Sequence, residues 1–289
     1  MIPFQLAEPA SFAEAVRLID PEDPTCRAVS GGTAMMLMMK SGVFQPSKLV
    51  SLRKVEPEYA AFTVSSDGAL QAGALVRLGQ LERSEAVRAA FPVLADTFPV
   101  LSNVRVRNVA TVGGNLAHAD PHMDLPPVLM ALGAHITATG PSGSRTIALT
   151  ELFRGYYETA LEPGELISGL SVPAQAGRRS AYVKCTTRSA HDWPALGVAV
   201  SLAVTGGTIQ DARIVLSAAV ETPTRMTDAE AALKGAPIGE EAFRAAGEAA
   251  AKAAEVTSDV RGSAPYKTQL VRVNVVRALR KALAAEGAV

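Results

Sequence analysis

The chain moves between two hydrophobic rhythms. Near the N-terminus Phe12, Ala15, Val16 and Ile19 recur at helical spacing, and Ser11 with Glu14 forms a capping box at the start of that stripe, which predicts a helix over 11–20. The short apolar run "CRAVS" then reads as a buried strand, "GGT" interrupts it, "AMMLMMKSG" reads as a helix closed by Gly42, and "KLVSL" as another strand. Alternation takes over in "AFTVSSDGALQAGA", a hairpin turning at Asp67-Gly68. Residues 78–100 return to a helical pattern broken at Pro92. Pro126 and Pro127 suit a helix start, with Asp124 placed as the N-cap. "AHITATGPSGSRTIAL" predicts strand, turn, strand, and "GELISGLSVP" one more strand.

Between residues 173 and 180, "PAQAGRRS" shifts to proline, glycine and basic residues, and a domain boundary is expected near residue 176. Beyond it come "SAYVKCT", two long strands joined at Gly206-Gly207, and alanine-rich segments at 229–254 and 278–285 that read as helices. The pattern contains no internal repeat and no low-complexity tract.

Composition narrows the function. A 289-residue chain that is 48% hydrophobic and 19% charged has enough apolar surface for two medium domains with cores. Lysine plus arginine equals aspartate plus glutamate at 28 each, which gives no basis for nucleic-acid binding or attraction to an anionic membrane. No apolar stretch approaches the roughly 20 residues of a membrane span. Two cysteines, Cys26 and Cys185, are too few for an iron–sulfur centre and form no disulfide framework, so a cytoplasmic location is expected. The N-terminus carries no signal-peptide pattern.

The candidate chemistry gathers in "TVGGNLAHADPHMDLPP", residues 111–127. His118, Asp120, His122 and Asp124 alternate every second residue, and on a strand they would share one face as metal ligands. Pro121 and the flanking Gly113-Gly114-Asn115 oppose any regular element there, so no metal site is assigned. An anion cradle fits better: glycines let backbone N–H groups approach a ligand, and successive N–H groups make a nest for a phosphate. A second stretch, "SGGTA" at 30–34, has the same character and lies between a strand and a helix, where a helix N-terminus adds partial positive charge. Two such turns can clasp a diphosphate. Neither is a P-loop or a Rossmann fingerprint.

Read together, "AVSGGTAMMLMMKSG" and "RNVATVGGNLAHADPHMDLPPVLMALGA" resemble the FAD-binding medium subunit of the molybdenum hydroxylases, the xanthine dehydrogenase and aerobic carbon monoxide dehydrogenase group. "AYVKCTTRSAHDWPALGVAV" resembles the opening of that family's C-terminal domain, so the likeness spans essentially the whole chain. It implies an α+β fold: residues 1–176 as an FAD-binding domain of the vanillyl-alcohol-oxidase (PCMH) type, with subdomains of about 1–55 and 56–176. Residues 177–289 would form an antiparallel sheet with a helical bundle. It also implies site residues. Ser30, Gly31, Gly32, Thr33 and Ala34 match the first diphosphate loop, although the family usually has an Ala-Gly-Gly-x-Ser type loop there. Thr111, Val112, Gly113, Gly114 and Asn115 match the second. Asp124 matches an aspartate that accepts hydrogen bonds from the ribityl chain, and Leu101 and Ile167 fall near positions lining the flavin or adenine. A lysine that some members place near the flavin falls near Ala195 here and is not found.

The function implied is electron transfer. Iron–sulfur clusters, of the [2Fe-2S] type, in a small subunit would deliver electrons from a molybdopterin centre in a large subunit. FAD on this chain would pass them to NAD, a quinone or another small acceptor. A dimer of heterotrimers is expected, and no catalytic residue is assigned to this chain. Three rivals stand beside this reading: a self-sufficient flavin oxidase or dehydrogenase of the same fold, a protein that kept the fold and lost FAD, and a metal-dependent hydrolase built on "HADPHMD". Methionines 35, 36, 38 and 39 are read as core filler, Trp193 as a packing residue, and Arg105 and Arg107 as solvated.

Overall fold

In a computed structural model, which describes residues 3–284, the first layer is a three-stranded parallel sheet in the order β1-β3-β2. It comprises β1 (Gln5–Ala7), α1 (Phe12–Leu18), β2 (Cys26–Val29), α2 (Thr33–Lys40) and β3 (Lys48–Ser51). The Ser11 hydroxyl accepts the Glu14 N–H and starts α1, whose Phe12, Ala15 and Val16 pack on Val50 and Leu52. Because β2 pairs on one side only, in register from Cys26 with Lys48 to Val29 with Ser51, its second edge is left for something else.

A mixed second layer follows: β4 (Phe62–Val64), β5 (Leu70–Gly73), α3 (Leu78–Arg83), α4 (Glu85–Ala90), α5 (Pro92–Thr97), α6 (Val104–Arg107), α7 (Val112–His118), α8 (Leu125–Ala131), β6 (His135–Gly140), β7 (Gly143–Ala148), α9 (Leu149–Leu152), β8 (Phe153–Gly155), β9 (Glu158–Thr159) and β10 (Leu166–Val172). Its five-stranded sheet runs β4-β5-β10-β6-β7, with antiparallel neighbours throughout. The Asp67-Gly68 turn joins β4 to β5, with Gly68 at φ 90° as a hairpin of this kind requires.

The third layer is an antiparallel sheet of β11 (Arg178–Cys185), β12 (Leu196–Thr205), β13 (Thr208–Ser217) and β14 (Thr224–Arg225), followed by α10 (Thr227–Leu233), α11 (Glu240–Ala253) and α12 (Ala264–Ala284). Gly206 and Gly207, both at positive φ, close the long hairpin. Along α12, Val271, Val275, Ala278, Leu279 and Ala282 fall at i, i+4, i+7, i+8 and i+11 on one face and are buried. Residue 285, the end of the expected helical segment 278–285, lies outside the described residues. No described helix is long and apolar enough to cross a membrane.

The second and third layers share a core. Every residue of α8 is buried and the helix packs against β12 and β13, while Tyr182, Ala199 and Val215 join the cluster built on Leu70, Phe98 and Leu129. Sheet and helices therefore hold β11 rigidly against the 120–125 segment, and this positions the site.

Candidate functional site

One large cleft, of about 680 Å³, runs between the β2–α2 corner of the first layer, the 101–124 segment of the second and the end of β11. It takes up the free edge of β2: Cys26, Arg27, Ala28 and Val29 all line it. Of the expected site residues, Ser30, Gly31, Gly32, Thr33, Ala34, Leu101, Thr111, Gly114, Asn115, Asp124 and Ile167 line this cleft, and Val112 and Gly113 do not.

The two glycine stretches meet directly. The Ser30 and Thr111 hydroxyls are 2.8 Å apart. That closeness requires Gly31, because a Cβ there would sit 2.3 Å from the Val109 carbonyl oxygen. Gly32 takes φ 68° as the N-cap of α2 and offers no capping side chain. The first hydrogen bond of α2 runs from the Met36 N–H to Gly32 O at 2.9 Å. The amides of Thr33, Ala34 and Met35 at the cleft therefore have no partner within the helix.

The second stretch is organised differently from the sequence expectation. Residues 112–118 are helical, not an irregular turn. Thr111 caps α7 by accepting the Gly114 N–H at 3.1 Å, the Val112 N–H donates to Val76 O at 2.9 Å, and the Gly113 N–H donates to Ala74 O at 2.8 Å. Gly113 is a packing glycine, since a Cβ would meet that of Ala74 at 2.6 Å. With these amides committed, the second stretch contributes side chains to the cleft: the Thr111 hydroxyl and the Asn115 amide. Asn115 is 7% exposed and its Oδ1 has no hydrogen-bond partner. A buried, unpartnered amide oxygen on a residue that lines the cleft is a candidate acceptor for a ligand donor.

Asp124 is also placed differently. It precedes α8 but makes no side-chain cap. Its carboxylate, 5% exposed, instead receives the Tyr182 hydroxyl at 2.7 Å and Lys184 Nζ at 2.9 Å, and Nζ also donates to Val100 O at 2.8 Å. Burial pushes the Asp124 carboxyl above its ordinary range, against the pull of Lys184 and Tyr182. Burial, and then the neighbouring carboxylate, push the Tyr182 phenol well up. Lys184 lines the cleft and was not found by sequence reasoning, which looked for a lysine near Ala195; Ala195 is buried in the core. Its signal was there: Tyr182 and Lys184 stand two apart on β11 and so share a strand face.

Other expectations are corrected by packing. Only Met39 of the four methionines is buried; Met36 is exposed, and Met35 and Met38 line the cleft. Arg107 is not solvated: it is 7% exposed, forms a two-pronged bond to Glu82 and donates to the carbonyls of Leu101 and Ser102, fixing that stretch of wall. Arg105 is exposed. Trp193 lines the cleft and stacks on His122 at 5.4 Å. His118 packs against Tyr157 with the rings tilted by 51°, and burial lowers its basicity despite Asp120 nearby.

Residues 2–175 match the family model described as the FAD binding domain in molybdopterin dehydrogenase. The chain belongs to this family. Residues 181–282 match the CO dehydrogenase flavoprotein C-terminal domain. The carbon monoxide dehydrogenase medium chain of Hydrogenophaga pseudoflava is 34% identical over 288 residues, covering 98% of this chain and 99% of that one. Among solved structures, carbon monoxide dehydrogenase from the same organism, in a form lacking the Mo-pyranopterin moiety of its molybdenum cofactor, superposes with a TM-score of 0.93 at 36% identity, covering 98% of this chain and 99% of that chain. Quinoline 2-oxidoreductase from Pseudomonas putida 86 does so at 0.91 and 29%, covering 98% of each. This family member is thus an FAD-binding subunit of the molybdenum-dependent oxidoreductases, a group in which other subunits carry the molybdenum and iron–sulfur cofactors. The residues fit the cofactor: open α2 amides and a hydroxyl pair suit a diphosphate, and Asn115 Oδ1 lacks the donor that a ligand hydroxyl or amine supplies.

Proposed function

We propose that this chain is the FAD-bearing electron-transfer subunit of a heterotrimeric molybdenum hydroxylase in the cytoplasm. It would work with a small subunit carrying [2Fe-2S] clusters and a large subunit carrying molybdopterin, in a dimer of heterotrimers. FAD, when bound, supplies the redox chemistry, taking electrons from the clusters and releasing them to NAD, a quinone or another small acceptor. The observation that carries this reading is the meeting of uncapped α2, the Ser30–Thr111 hydroxyl pair and Asn115, whose buried oxygen is unpartnered, around one cleft.

Within this reading the chain's own residues bind and orient. The amides of Thr33 and Ala34, with Gly31 and Gly32 keeping the backbone close, hold one side of the diphosphate. The Ser30 and Thr111 hydroxyls and the Asn115 side-chain NH2 form the other, Gly114 leaves room for the hydroxyl pair, and Val112 and Gly113 set the frame of α7. Asp124, kept in place by Tyr182 and Lys184, accepts the ribityl hydroxyls. Leu101 and Ile167 give apolar walls that exclude water. The fold is read as the vanillyl-alcohol-oxidase (PCMH) type over 1–176, with 177–289 as a C-terminal domain.

The test is co-purification from the native host with a tag on this chain. The reading expects two partners, one binding [2Fe-2S] clusters visible by electron paramagnetic resonance and one containing molybdenum by elemental analysis. Recovery of the chain alone, turning over an organic substrate by itself, would favour a self-sufficient flavin enzyme instead.

A further inference from the structure

The C-terminal chain reaches a cleft-lining histidine through one anchored carboxylate. Asp259 sits in a tight turn, exchanging backbone hydrogen bonds with Gly262 and accepting the Arg261 N–H at 2.8 Å. Its Oδ1 lies 2.9 Å from Nζ of Lys267, a lysine with 0% exposure that also donates to Ala218 O. Burial works the other way, yet Lys267, the Arg261 N–H and His122 together hold the Asp259 carboxyl down at about 2. From this position Oδ2 stands 3.3 Å from Nε2 of His122, which lines the cleft.

The His122 ring is thereby held at both nitrogens. Nδ1 lies 2.9 Å from Oδ1 of Asp120, a buried carboxylate that also accepts the His122 N–H and the Tyr157 hydroxyl. At Nε2 two partners compete: Asp259 accepts, while Arg261 Nη1, 3.4 Å away, donates. With Nδ1–H donating to Asp120, a protonated ring satisfies Asp259 and a neutral ring satisfies Arg261. Trp193 stacks on this ring with 15° between the planes, and the Arg261 guanidinium lies 5.3 Å from the same indole.

We propose that Asp259 is a positioning residue behind the cleft: fixed by Lys267 and paired with Arg261, it acts through His122 to hold Trp193 at the cleft wall. The charged groups facing the imidazole are Asp120, Asp259 and Arg261, with Tyr157 behind the first and Lys267 behind the second. The C-terminal sequence thus braces, from behind His122, a wall built mainly by residues 19–167. The proposal rests on the FAD reading only for what the wall encloses.

Trp193 is the sole tryptophan of the chain, so its emission in the full-length chain without cofactor reports on this contact. The stacked His122 ring shields one face of the indole. Asp259→Asn is expected to raise quenching by acrylamide and to move the emission maximum to longer wavelength, and His122→Ala to do the same. The double variant should add nothing further, because Asp259 acts through His122. Should Asp259→Asn not fold, Arg261→Met, which removes the other partner of Nε2, decides by the same two readouts, since that side chain is partly exposed. Unchanged quenching and emission in the folded single variants, or additive effects in the double variant, would overturn the proposal. No FAD enters the measurement, so its failure leaves the cofactor reading standing, and failure of FAD binding leaves this contact standing.

Discussion

The hydroxyl of Ser30 lies 2.8 Å from that of Thr111, 81 residues further along the chain. This contact ties the β2–α2 corner to the start of α7, and Thr111 serves it while capping the Gly114 amide. Replacing Thr111 with valine removes both, and is expected to cost about 1 kcal/mol through the lost cap. Ser30→Ala keeps the cap and should cost less, yet both variants should retain less FAD. Urea unfolding and flavin content of the purified variants check this; wild-type stability in Thr111→Val would contradict it.

Gly31→Ala sets a harder limit. The added carbon would stand 2.3 Å from the Val109 oxygen and 2.9 Å from its carbonyl carbon, both backbone atoms with no rotamer to escape into. Overpacking of this kind costs about 1–3 kcal/mol, and here it also pushes the two glycine stretches apart. A lowered unfolding temperature together with lost flavin is expected. A variant that is destabilised but keeps full flavin would show that the close approach serves packing alone.

Lys184→Met leaves the Asp124 carboxylate buried without its countercharge, which costs about 3–5 kcal/mol when the charge has no other escape. The sign with pH follows from the raised carboxyl. A carboxyl pushed up in the folded state contributes stability below its unfolded value of 3.8, and loses it as pH rises through the folded value. Removing Lys184 pushes the group further up, so the penalty should be smaller in acid than at neutral pH. Asp124→Asn introduced into Lys184→Met should recover part of it. Denaturant titrations across pH measure both; a penalty independent of pH would rule out the charge as its cause.

Asn115→Leu separates stability from binding. The unpartnered Oδ1 carries a desolvation cost of about 1–3 kcal/mol when no cofactor is bound, and leucine removes it. The variant without cofactor should unfold at the same temperature or higher, while its flavin content falls. A drop in both would mean that Asn115 is a structural residue.

Much of the fold was legible because local chemistry and tertiary packing agree. Asp67-Gly68 and Gly206-Gly207 turn the hairpins expected of them, and Ser11 caps the helix it precedes. The site was legible as a set of residues and less so as an arrangement. Gly113-Gly114 reads as a break because glycine costs a helix about 1 kcal/mol against alanine, yet α7 runs through it, since only glycine can pack on Ala74. Asp124 has the type and place of an N-cap, but Tyr182 and Lys184, 58 and 60 residues later, claim its carboxylate. The methionine run reads as core because its residues are apolar; Met39 is buried as expected, but Met35 and Met38 lie along a cleft whose existence depends on a second layer. In each case a partner distant in sequence outweighed the local pattern.

The most direct measurement is the visible spectrum of this chain's purified native complex, with the released cofactor identified and counted. The account predicts oxidised-flavin absorption and one FAD per chain, reduced in halves or less by Ser30→Ala with Asn115→Leu. A complex that contains this chain, shows no flavin bands and takes up no added FAD would contradict it.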